Sequence, residues 1–143
     1  MLIPKIIHQV WIGSDIPLKK YALTQSMHRI DAYRYRLWGN KDLTQNNFPL
    51  MWPYIVQLQD AKQPLAMIAD LMKYELMYHH GGVIFDVNME LLQEMLLRDS
   101  LKDHALVLCN ENERVTNYLS CGFFAIVPQH PALKHVLDMV GTL

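Results

Sequence analysis

A chain of 143 residues, 51% hydrophobic and 19% charged, fits one soluble domain with one core and excludes a disordered or fibrous protein. A formal net charge of −1 gives no global basic field, which argues against a nucleic-acid partner. Two cysteines, Cys109 and Cys121, make no disulfide framework, no uncharged apolar run approaches the ~18 residues that span a bilayer, and the first residues lack a signal-peptide pattern. A cytoplasmic protein is expected, with peripheral attachment to a membrane as the alternative.

Residues 5–11 are β-branched and bounded by Pro4 and Gly13, which predicts a buried strand. Residues 18–30 predict a helix with a loose apolar face of Leu18, Tyr21, Ala22, Met27 and Ile30. Residues 33–38 alternate and predict a second strand. Residues 40–47 are polar, with room for one helical turn, and residues 51–62 carry a weaker helical pattern. Pro64 then suits the first position of a strong helix, with Leu65, Ile68, Leu71, Met72, Leu76 and Met77 on its apolar face and Gly81-Gly82 as its stop. Val83-Ile84-Phe85 predicts a third strand, and residues 91–97 a short helix. Residues 105–109 read as a strand, 110–118 as polar and irregular, 123–127 as a last strand, and 131–140 as a last helix stopped by Gly141. Strands and helices alternate without repeats, which predicts one α/β domain over residues 1–143 with a mostly parallel sheet flanked by helices.

The segment from Ala66 to Glu90 is the most informative. Asp70, Lys73 and Tyr74 stand at i, i+3 and i+4, and so share a helix face. The following strand ends in Asp86, and ligand sites of open α/β sheets lie at the carboxyl ends of strands. Spacing alone leaves other readings open. An aspartate after a strand is commonly a turn residue or helix cap, and an Asp/Lys pair on a helix is commonly a solvated pair worth about 0.3–0.5 kcal/mol. His79 and His80 are adjacent at a helix end and suit its dipole better than a shared metal. His28, His104, His130 and His135 show no ligand spacing.

The run Ile3-Pro4-Lys5-Ile6-Ile7-His8-Gln9-Val10-Trp11-Ile12-Gly13 resembles the opening strand of the DXD-containing sugar transferases. These include yeast initiating mannosyltransferases, bacterial capsular sugar transferases and the glucosylating domains of clostridial toxins. The segment from Ala66 through Asp70, Lys73, Tyr74 and Gly81-Gly82 to Asp86-Val87-Asn88 resembles their central signature of Asp-x-x-Arg-Tyr, Gly-Gly, strand and Asp-x-Asp. A weaker likeness runs from Asn117 to Pro131.

The resemblance implies a GT-A-like, Rossmann-type fold in a small or truncated version. It implies transfer of a hexose from a UDP- or GDP-sugar to a glycan, lipid-linked sugar or protein acceptor, usually with retention, as in polysaccharide biosynthesis. It also implies Mn²⁺ or Mg²⁺ at Asp86 and Asn88, donor-sugar contacts from Asp70 and Lys73, with Tyr74 beside them, and His8, Gln9 and Trp11 near the nucleotide. Asp70, Lys73 and Asp86 would be the catalytic group. Two positions depart from the pattern. Asn88 replaces the second Asp, removing a negative charge and bidentate binding. Lys73 replaces Arg, losing the planar fork that grips two oxygens. Glu90 is a candidate third ligand if the strand stays extended. A degenerate domain that binds nucleotide sugar without turning it over is the alternative.

Overall fold

The computed structural model describes residues 2–90, 97, 99, 101–112 and 115–142. The elements follow the order β1 Ile6–Val10, α1 Leu18–His28, β2 Arg34–Trp38, a 3-10 turn Asn40–Asp42, α2 Trp52–Asp60, α3 Leu65–His80, β3 Gly82–Phe85, β4 Leu106–Asn112, β5 Val115–Ile126 and α4 Pro131–Val140. The expected helix at 91–97 lies almost wholly outside the described residues.

The five strands form one sheet in the order β2-β1-β3-β5-β4. β1 pairs in parallel with β2 and β3, while β5 lies antiparallel to both β3 and β4. Four strands therefore run one way and β5 runs against them, so the expected α/β, mostly parallel sheet is present. The expectation for 110–118 is corrected, because β4 and β5 extend through most of that polar stretch and pair with one another. Backbone pairing, which polar side chains do not prevent, makes this hairpin.

Each face of the sheet carries its own core. On one side Val10, Ile84 and Phe124 pack against Met72 and Leu76 of α3 and Leu133 of α4. On the other, Ile7, Val83 and Ala125 pack against Met27 and Ile30 around α1. The expected apolar face of α1 is corrected accordingly. Leu18 is 83% exposed, Tyr21 is exposed too, and the helix buries Thr24 and Met27 instead.

The α3–β3 corner depends on its glycines. Pro64 caps α3 from just outside rather than opening it, and Gly81 ends the helix at φ +63. Gly82 follows at φ +112, where a Cβ would stand 2.6 Å from the Ile6 carbonyl oxygen. Only glycine allows both the left-handed backbone and this close approach. The corner lets α3 run antiparallel to β3, so that its first turns return to the carboxyl edge of the sheet.

A candidate donor cleft at the carboxyl edge of the sheet

A cleft of about 430 Å³ opens at that edge, within the usual range for small-molecule sites. Three segments line it. β1 and the loop after it give Val10, Trp11, Ile12 and Ser14. The start of α3 gives Leu65, Ala66, Ala69, Asp70 and Lys73. The turn after β3 gives Asp86, Val87 and Asn88.

Asp86 is half-buried and its main chain is fixed from two sides. Its N–H donates to the Gly122 carbonyl (2.7 Å), and its own carbonyl accepts the Met89 N–H (3.0 Å). The chain turns at residues 87–88, so the strand does not stay extended toward Glu90. Asp86 Oδ1 accepts the Asn88 backbone N–H (3.0 Å) and the Asn88 side-chain amide (3.2 Å). An aspartate accepting the N–H two residues on makes a compact turn. The turn removes the condition under which Glu90 would join the site: Glu90 is exposed and does not line the cleft.

Across the cleft, Lys73 is only 8% exposed, and its Nζ lies 3.7 Å from Asp70 Oδ1. Burial pushes the Asp70 carboxyl above its usual pKa. Lys73 opposes that push and the nearby Asp86 charge reinforces it. Two carboxylates and one ammonium thus share a partly shielded space, and its negative pair suits a cation. α3 starts beside them without a side-chain cap, bringing the positive end of its dipole to the cleft.

Trp11 is the aromatic wall. Its indole N–H donates to the Ser14 carbonyl (2.7 Å), and Lys20 Nζ stands 4.8 Å from its ring centroid. Asn40 holds the next residues through two bonds to Gly13, accepting its N–H and donating to its carbonyl, each at 2.8 Å. Lys20, Ser14 and Asn40 were not among the sequence expectations. Their parts in the site depend on loop geometry, and the only local signal was Gly13, which marks a turn.

Three expected site residues do not reach the cleft lining. His8 is buried beneath α3, with Nε2 against the Gly81 carbonyl (3.0 Å) and Nδ1 accepting the Trp38 indole N–H (3.1 Å). Burial lowers its pKa to about 4, so it is a neutral structural hydrogen-bond bridge. Gln9 is fully buried on the opposite sheet face and touches Asp86 only through the main chain. Tyr74 is partly buried against the core on the α3 side. Among the described residues, no three of His, Cys, Asp or Glu gather as a metal-holding group.

Fold and cleft together define an α/β domain with a ligand cleft at the carboxyl edge of its sheet. The fold matches that of a solved chain titled PaToxG glycosyltransferase with a TM-score of 0.71 over 98% of this chain and 60% of that one, at 12% identity. No family model matches the sequence. An uncharacterized glycosyltransferase of Acanthamoeba polyphaga mimivirus is 28% identical over 94% of this chain and 54% of its own length. Inositol phosphoceramide mannosyltransferase 2 of Schizosaccharomyces pombe is 32% identical over 61% of this chain and 25% of its own length. A mannosyl phosphorylinositol ceramide synthase of Saccharomyces cerevisiae is 31% identical over 61% of this chain. The chain is thus similar to proteins named as sugar transferases, and it spans about half the length of the viral protein and a quarter of the fission-yeast one. Among the described residues no helix is long and apolar enough to cross a membrane.

Proposed function

We propose that this chain is a glycosyltransferase domain that takes a hexose from a UDP- or GDP-sugar held in the cleft and passes it to an acceptor hydroxyl with retention at the anomeric carbon. The observation that carries this reading is the convergence of Asp86, Asn88, Asp70 and Lys73 on one cleft at the carboxyl edge of the sheet. The donor set fits Mn²⁺ or Mg²⁺. Such ions take hard oxygen ligands, often one or two carboxylates with the rest from phosphate and water. Asp86 supplies the carboxylate and Asn88 an amide carbonyl. A bound cation would supply Lewis-acid neutralisation of the charge growing on the diphosphate leaving group.

The chain's own groups do the rest. Lys73 offers a fixed positive charge to phosphate or sugar oxygens. Asp70, part-shielded from water, accepts hydrogen bonds from hydroxyls of the donor hexose. Trp11 offers a flat face to the base, and the start of α3 favours the diphosphate. The yeast relatives' names favour a lipid-linked acceptor over a glycan or a protein.

One observation favours the second reading, a module that binds nucleotide sugar without turnover. Asp86 Oδ1 already accepts two bonds from Asn88, which leaves a weakened cation site. The test is release of free nucleotide from a panel of UDP- and GDP-sugars with Mn²⁺. Metal-dependent release that falls on the order of 100-fold in Asp86→Ala is expected. Thermal stabilisation by a donor without release would favour the binding module, and no response to any donor would reject both readings.

A further inference from the structure

The backbone pairing of β1 with β3 stops at His8↔Ile84. Asp86 lies two residues beyond that point, and a side chain takes over its support. The Gln9 amide, 0% exposed, donates from Nε2 to the Asp86 main-chain carbonyl (3.3 Å). Its Oε1 accepts the Tyr35 hydroxyl proton (2.6 Å). An amide has a donor end and an acceptor end, and a donor aimed at the oxygen fixes which way it faces. Tyr35 is suited to that task. Burial pushes its phenol up to about 12, so it stays a neutral donor. The pair Tyr35–Gln9 therefore ties β2 and β1 to one peptide, beside the point where the Asp86 side chain leaves for the cleft.

We infer that Gln9, oriented by Tyr35, is a positioning residue for Asp86 and sets the affinity of the cleft for a divalent cation. This rests on the reading of the cleft as a nucleotide-sugar site. Gln9 touches neither donor nor cation, and acts by holding the Asp86 peptide at one angle. A carboxylate that binds a cation is sensitive to such support, and loss of an outer contact commonly weakens metal binding about 10- to 100-fold.

The test is a Mn²⁺ titration followed by electron paramagnetic resonance with UDP and with GDP present. It compares the wild type with Asp86→Ala, Gln9→Met and Tyr35→Phe. Nucleotide affinity without metal is measured beside it. Gln9→Met keeps the volume and removes both bonds, and its Mn²⁺ Kd should rise about 10-fold. Tyr35→Phe keeps the ring and removes only the orienting hydroxyl, and its Kd should rise about 3-fold. Metal-free nucleotide affinity should stay within about twofold in both, because the walls of the cleft are untouched. A Mn²⁺ Kd unchanged in both variants while Asp86→Ala has lost binding overturns the inference. So does a parallel fall in metal-free nucleotide affinity, which would mean general loosening. A wild type that binds no Mn²⁺, or an Asp86→Ala protein that binds it equally well, rejects the cleft reading itself. Should Gln9→Met not fold, Tyr35→Phe decides alone.

Discussion

Lys73 can be both buried and available, because a lysine lays its methylene stem along apolar surface and carries its ammonium to the edge. Asn88 is the more consequential of the two departures from the family pattern. Its amide donates to Asp86, so Asn88→Asp would replace that donor with a repelling charge. The variant should be less stable than the wild type without metal, and Mn²⁺ should raise its melting temperature by a larger margin. A titration with equal shifts in both proteins would mean that position 88 is not a ligand. His8 sets a pH limit on the fold. Its folded pKa, about 4, lies below the ordinary 6.5, so the native state favours the neutral ring. That contribution is fully present above pH 6.5 and is lost as pH falls toward 4, on the order of 3 kcal/mol in all. His8→Gln should lower stability at pH 7 yet flatten its fall between pH 6.5 and 4, as read by thermal melts. Alternation along β1 puts His8 and Gln9 on opposite faces of the sheet. It could not show that helices cover both faces at this depth, which is why neither lines the cleft. Trp11 and Asp86 were legible because they follow strand ends, where an α/β sheet opens, and Asp70 and Lys73 because their spacing puts them on one helix face.

Glu75 shows how one buried charge joins two elements. It is 0% exposed, and its carboxylate accepts the Leu50 N–H (2.9 Å) and the Met51 N–H (2.7 Å) at the start of α2, with His79 Nε2 at 2.7 Å. α2 has no side-chain cap of its own at Met51, and a carboxylate suits the positive end of a helix. Glu75→Ala should cost about 3 kcal/mol, since the amides it satisfies are left without that acceptor. In hydrogen exchange α2 should then open before α3. Equal protection of α2 in both proteins would contradict this. The sequence held a signal for Glu75, a charged residue among Leu71, Met72 and Leu76 on the apolar stripe, but its partner is 24 residues away and unreadable from spacing. α3 was legible because its apolar period, the preceding proline and the double glycine agree. The β4–β5 hairpin was not, because its far half lacks apolar alternation and is specified by backbone pairing between segments.

At the scale of the molecule, the reversal at β5 completes a sheet whose other strands present their carboxyl ends together. The cleft forms where the loop after β1, the start of α3 and the turn after β3 meet. The order of elements and the parallel bias followed from alternating strand and helix patterns, while the reversed direction of β5 required the pairing itself. The chain covers about half of the viral relative and a quarter of the fission-yeast one. At 16.7 kDa the protein suits amide-resolved NMR. The most direct measurement is line broadening by substoichiometric Mn²⁺ with GDP or UDP. The account predicts that amides of residues 86–88 and 69–73 broaden first, while those of 54–58 and 134–138 stay sharp. Broadening centred elsewhere, or none at any nucleotide concentration, would contradict it.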